Sequence, residues 1–271
     1  MNDIFDQNAA VYAQIEGSTG RIVLNRPEKK NAMSQAMWVR VSKAVQVLDA
    51  ATEVRVIILC SSTTSSFSAG ADISELGAIS NDPERRDANR KAIRGAQRSL
   101  ARANKPTIAQ ISGPCVGGGC GLAIHCDFRI ASDTARFGIT PAKIGIVYPL
   151  SDTKQLMDLV GVSAAKSMLF TGRLLDAGEA EKTGLIDRVE AVGALAEAVT
   201  DFANELAAVS QYSLYGIKKS MQRILDGQID DDAWSQDMFL DAHEGEDARE
   251  GVKAFLEKRR PRFTWTTNPD D

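Results

Sequence analysis

Cys115-Val116-Gly117-Gly118-Gly119-Cys120-Gly121 is the most telling segment of this 271-residue chain. Its three consecutive glycines follow a predicted strand over residues 105–111 and open an apolar, helical run over residues 122–126. Lacking side chains, glycines let backbone N–H groups approach a ligand oxygen closely. At a helix start those groups have no intrahelical acceptor and sit at the positive end of the dipole. The turn suits an anion, or an oxygen that becomes one during a reaction.

A second glycine turn, Ser68-Ala69-Gly70-Ala71-Asp72, follows another strand candidate, the β-branched run over residues 54–60. Before it, residues 11–15 and 20–24 read as two strands around Glu16-Gly17-Ser18-Thr19. Ser34 is placed to cap a helix reaching residue 51, because Met37, Val41, Ala44, Val45 and Leu48 recur at three and four. Residues 81–102 have a charged helical pattern, and residues 127–131 form a further strand. Helices are expected over 151–160, 164–170 and 177–183, with Gly161, Gly172 and Gly184 as stops. Beyond residue 190 the pattern is almost wholly helical. Strands alternating with helices, followed by a helical tail, predict an α/β core over residues 1–200 and a C-terminal helical region over 201–271.

Composition narrows the partners. A net charge of −4 and a pI near 5.4, without a basic stripe, argue against nucleic acid. No run is long enough to span a membrane, and Met1-Asn2-Asp3-Ile4-Phe5-Asp6 lacks the basic and apolar regions of a signal peptide. A cytoplasmic enzyme is the expectation. Cys60, Cys115, Cys120 and Cys126 lie in apolar surroundings without a C-x-x-C pair, so they read as buried thiols, not as a metal site with His125 or as disulfides. No metal is expected.

Familiar catalytic frameworks fail. The chain has two histidines. His125 lies inside an apolar run and reads as structural, while His243 stands among acidic residues on a solvated face. The nucleophile elbow G-x-S-x-G is absent. Leu122 falls where the dinucleotide fingerprint needs its last glycine.

The two glycine turns, together with Leu24-Asn25-Arg26-Pro27 and the terminal Glu250-Gly251-Val252-Lys253-Ala254-Phe255-Leu256-Glu257-Lys258-Arg259, resemble the crotonase (enoyl-CoA hydratase/isomerase) family over nearly the whole chain. The resemblance implies a crotonase-like spiral of β-β-α units with a C-terminal helical subdomain that assembles trimers or hexamers. It also implies an acyl-CoA substrate, with coenzyme A arriving as part of that substrate and no separate cofactor. Its thioester carbonyl would lie between the N–H groups of Ala71 and Gly118. Ala69, Asp72, Ile73 and Ser74 would line the CoA site. Lys29 and Lys30, otherwise surface charges, would approach the nucleotide, as would Phe255 and Lys258 from a neighbouring subunit.

The chain departs from that pattern where the acid and base belong. The resemblance places hydratase glutamates at Gly121 and Pro141, and an isomerase glutamate at Pro149; none of these side chains moves a proton. The expected protein is an acyl-CoA enzyme of this lyase-rich family, working through a stabilised thioester enolate. Two alternatives stand beside it. The segment ending at Tyr148 resembles that of methylmalonyl-CoA decarboxylases, whose tyrosine orients the carboxylate, although a packed aromatic is an equal reading. The other is a non-catalytic acyl-CoA-binding protein. Asp152 is a candidate acid or base, or else the cap of the helix beginning at Ser151.

Overall fold

The structure, a computed structural model, describes residues 2–266. Its main sheet has six strands: β1 (Val11–Glu16), β2 (Thr19–Leu24), β3 (Val56–Ser61), β4 (Thr107–Ile111), β6 (Phe128–Ser132) and β9 (Arg188–Glu190), in that order. β1 and β2 form an antiparallel hairpin, and every later pairing is parallel. A smaller sheet joins β5 (Pro114–Val116), β7 (Arg136–Gly138) and β8 (Leu175–Asp176). Strands of two or three residues carry too little alternation to register in a sequence, and all three of these escaped the sequence pattern.

Period-two alternation divides β3 between two layers. Ile57 and Leu59 face a core shared with Ile22, Leu24, Ala109 and Ile111. Val56, Ile58 and Cys60 face the other layer with Ile108 and Ile130. The first layer is covered by α1 (Gln35–Ala50), which Ser34 caps by accepting from the Met37 N–H, as the sequence predicts. Its predicted apolar stripe is buried, and Trp38 joins it. Each such large side chain contributes about 1.5–3 kcal/mol through burial. Beside α1 packs α3 (Pro83–Arg102), capped by Asp82, with Ala96, Gln97 and Leu100 buried.

The second layer is covered by α7 (Leu195–Ala208), through Leu195, Val199 and Ala203. The expected division of the chain at residue 200 therefore falls inside a helix that belongs to the core. The tail continues as α8 (Gln211–Leu225), α9 (Ala233–Glu244) and α10 (Glu246–Leu256). Lys218 of α8 donates to Asp127 Oδ2 at 2.6 Å and to the Lys105 carbonyl at 2.9 Å. The same Asp127 oxygen accepts the Thr107 N–H at 2.7 Å, so one carboxylate joins β4, β6 and the tail.

Gly161 breaks α5 (Leu150–Thr171) with φ 73° and ψ 165°, and Gly172 ends it in the left-handed region. Both are expected stops. No described helix is long and apolar enough to cross a membrane. The four cysteines are buried, and desolvation pushes the Cys60 thiol up to about 11 and that of Cys126 to about 12.

Candidate active site

Both glycine turns arrive at one place because β3 and β4 pair in parallel in the main sheet, and Ser68, beyond β3, bridges to Cys115 in β5, beyond β4. The first turn is docked on its two sides. The Met33 N–H donates to the Gly70 carbonyl at 2.7 Å, the Asp72 N–H donates to the Met33 carbonyl at 3.0 Å, and Ser68 bridges to Cys115. Parallel bridging of this kind uses the groups on either side of Ala71. The Ala71 N–H is left without an acceptor among the described residues.

The second turn runs into α4 (Gly118–Ala123), which begins within the glycines, four residues earlier than the sequence suggested. Gly117 has φ 54° and ψ −120°, a conformation that favours glycine, and its N–H donates to Gly138 O at 2.7 Å. Gly118 then heads the helix with its N–H free. A β-carbon at Gly118 would lie 3.7 Å from the Ala71 nitrogen, so the two unpartnered amides are neighbours. Such a β-carbon would also meet the Trp38 ring at 2.8 Å, and one at Gly119 would meet Ser68 at 2.6 Å. The close approach admits only glycine.

The candidate CoA-binding residues divide. Ala69 is exposed, with its N–H on the Lys30 carbonyl. Lys29 and Lys30 are exposed and without an ion pair among the described residues. Beneath them the buried Asn31 side chain donates to the Phe67 and Ser66 carbonyls and to Ser61 Oγ, fastening their loop to the first turn. Asp72 is committed internally: it accepts from the Ser74 N–H and hydroxyl at the start of α2 (Ile73–Ser80), and from Arg26 Nη1. The Ser74 hydroxyl first, then Arg26, hold its carboxyl down to about 2. Ile73 is 76% exposed and presents an apolar surface beside the turn. Phe255 and Lys258 are exposed on the tail, and no hydrogen bond ties them to the glycine turns among the described residues.

Around Gly121 the structure shows a group the sequence reading missed. A β-carbon there would lie 2.7 Å from Gln97 Nε2 and 3.6 Å from the Tyr148 hydroxyl. Gln97 donates to Asp152 Oδ2 at 3.0 Å, and both residues are buried. The Tyr148 hydroxyl is buried without a hydrogen-bond partner among the described residues. Burial, and then the Asp152 charge, raise its pKa well above the usual phenol value, so it stays a donor. His125 Nδ1 lies 2.6 Å from the Gly121 carbonyl, and burial lowers its pKa.

Asp152 does not cap its helix. α5 begins at Leu150 after Pro149, and no side chain caps it; Asp152 accepts from Gln97 and from Ser151 Oγ. The signal for Gln97 was a single polar residue in the apolar 93, 96, 97, 100 stripe of α3.

A cleft of about 790 Å³ reaches this cluster from the side of the helical tail, lined by Arg94, Arg98, His125, Asp152, Leu214 and Met221 among others. It also includes Gln97 in its wall. Ala71 and Gly118 lie outside that lining.

Known proteins resemble this chain over most of its length. The Enoyl-CoA hydratase/isomerase family profile matches residues 14–266. A Rhizobium meliloti protein described as a "probable enoyl-CoA hydratase" is 34% identical over 93% of this chain and 97% of its own. A crystal structure from Hyphomonas neptunium, of a protein provisionally assigned to the enoyl-CoA hydratase/isomerase family, superposes with TM-score 0.92 at 40% identity, covering 95% of this chain and 98% of that one. An "enoyl-CoA hydratase/carnithine racemase" from Magnetospirillum magneticum gives 0.90 at 32% identity, covering 94% and 96%. With its crotonase fold and paired glycine turns, the chain belongs to the enoyl-CoA hydratase/isomerase family of acyl-CoA enzymes.

Proposed function

We propose that the protein binds an acyl-CoA thioester with its carbonyl oxygen between the Ala71 and Gly118 N–H groups, and works through the enolate of that thioester. The supporting observation is the pair of adjacent amides, both without an acceptor. Negative charge grows on the thioester oxygen as the enolate forms, and preorganised donors stabilise it by a few kcal/mol each. Lys29 and Lys30 meet the phosphates of coenzyme A, with Ala69 and Ile73 beside the pantetheine arm. Phe255 and Lys258 complete the nucleotide site across a subunit contact in a trimer or hexamer. Asp72 serves the turn itself, not the ligand. No cofactor beyond the substrate's own coenzyme A takes part.

Plain hydration is not the favoured reaction, because glycine and proline stand at positions 121 and 141. The unpartnered Tyr148 hydroxyl favours a second reading: loss of CO2 from a malonyl-type thioester, which yields the enolate without removal of a carbon-bound proton. Crotonyl-CoA and methylmalonyl-CoA separate these outcomes. Fading of the conjugated thioester absorbance reports hydration, and CO2 release reports decarboxylation. Saturable CoA binding, with no turnover and no α-proton exchange across an acyl-CoA panel, would overturn the enolate reading and leave a binding protein.

A further inference from the structure

The helix that carries Phe255 and leads into Lys258 is held by little apolar contact of its own: α10 buries only Asp247 and Ala254. Its bracing comes from the chain that follows. Lys258 has φ 54°, in the left-handed region that side-chain-bearing residues rarely enter, and there the chain turns back along α10. The Glu250 carboxylate accepts from Arg259 Nη1 and Nη2 at 2.6 and 2.8 Å, and from the Arg262 N–H at 2.7 Å. A β-carbon at Gly251 would lie 3.7 Å from the Phe263 ring. At the opposite end of the helix, Asp247 Oδ1 accepts the Thr264 N–H at 3.3 Å and the Trp265 N–H at 3.5 Å.

The returning segment is fastened in turn to the rest of the protein. The Trp265 ring packs against Tyr212 and Tyr215 of α8, with centroids 5.3 and 5.7 Å apart. Asp247 is buried, and its Oδ2 accepts the hydroxyl of Ser210, the residue that caps α8, at 2.7 Å. Arg55, the residue before β3, donates to the Phe263 carbonyl and to the Ala207 carbonyl at the end of α7, both at 2.9 Å. One guanidinium thus ties residues 259–266 to the core without passing through α9.

We propose that residues 259–266 are a positioning segment for Phe255 and Lys258: they brace α10 along its length, hold the chain reversal at Lys258, and so set where both side chains meet the coenzyme A nucleotide. The inference rests on the nucleotide role given to Phe255 and Lys258 above. Glu250 and Trp265 act through α10 and do not touch the ligand. Glu250 makes the two effects separable. Its negative charge repels an anionic nucleotide, so charge alone makes its removal strengthen binding. Loss of position makes the same removal weaken binding, and the signs are opposite.

The test compares dissociation constants for butyryl-CoA and for butyryl-pantetheine, which lacks the nucleotide, by titration calorimetry on the full chain. Trp265→Ala and Glu250→Ala should each weaken butyryl-CoA binding about tenfold and leave butyryl-pantetheine binding unchanged. Both side chains keep contact with solvent, so neither change empties a core. The double variant Phe255→Ala, Lys258→Ala should lose butyryl-CoA affinity as well. Adding Trp265→Ala to it should cost nothing further, because the groups act as one unit. Unchanged or tighter butyryl-CoA binding in Trp265→Ala or Glu250→Ala overturns the positioning role. Equal weakening of both ligands, which general loosening of the fold would give, overturns it too, as does full additivity with the double variant. Wild-type butyryl-CoA affinity in the double variant overturns the nucleotide assignment itself.

Discussion

Arg26 Nη1 lies 2.6 Å from Asp72 Oδ2, one residue beyond the Ala71 amide, and the same nitrogen donates to the Ala32 carbonyl at 3.0 Å. One guanidinium thus spans the two backbone segments that leave the Ala71 N–H unpaired. The Arg26 side chain keeps 24% of its exposure and that of Asp72 9%.

Arg26→Ala should lower unfolding stability by about 1 kcal/mol and reduce turnover through a displaced Ala71 amide. The Asp72 carboxyl is held down to about 2, below its ordinary value near 4. Its stabilising contribution is complete above pH 4 and fades as the pH falls toward 2. Urea melts of wild type and Arg26→Ala across pH 2–5 should converge at the acid end. Parallel curves throughout would contradict this role.

Removing the Gly118 donor needs care, because any β-carbon at 118 meets Trp38 at 2.8 Å. Proline fits the first position of a helix and deletes only an N–H that had no acceptor. Gly118→Pro placed in a Trp38→Leu background should keep CoA affinity and lose roughly a hundredfold or more in turnover against Trp38→Leu alone. Equal rates in the two proteins would remove Gly118 from the oxyanion site.

Gly121→Glu should not create a hydratase. The new side chain must displace Gln97, costing about 1–3 kcal/mol, and Pro141 still leaves the second proton-transfer position without a functional group. Crotonyl-CoA absorbance should remain constant with this variant, and thermal melting should show the loss.

Gly95 lies inside α3 with nothing within 4 Å of the place a β-carbon would take. Gly95→Ala should therefore stabilise the protein by about 1 kcal/mol, from helix propensity and a less free unfolded chain. Gly119→Ala, facing the Ser68 β-carbon at 2.6 Å and its carbonyl at 2.8 Å, should do the opposite. Paired denaturation curves measure both.

Iodoacetamide at pH 8 should leave Cys60 and Cys126 unmodified in the folded protein, since burial holds their thiols near 11 and 12. Complete labelling should follow unfolding in urea. Rapid native labelling would show that these sites open to solvent.

Long elements were legible because their signals repeat. The apolar stripe of α1 recurs through four turns, Ser34 marks its start, and Gly161 and Gly172 punctuate α5 as expected. The two glycine turns were legible too, since only glycine tolerates so close a backbone approach. Asp152 was ambiguous for a local reason: Ser-Asp-Thr reads as a cap in any window, and only tertiary packing brings Gln97 to it from 55 residues away. Gln97 itself was hidden in a charged helix. The second sheet eluded the reading because β8 has two residues, and its pairing with β7 is fixed by distant chain segments, not by local alternation.

Lys218 gives the helical tail a bearing on how the chain may be shortened. Cleavage between α7 and α8 would leave the Asp127 carboxylate without its cation while it still grips Thr107. A truncated protein would carry an uncompensated charge at the head of two adjoining strands, and its parallel sheet would open from that end.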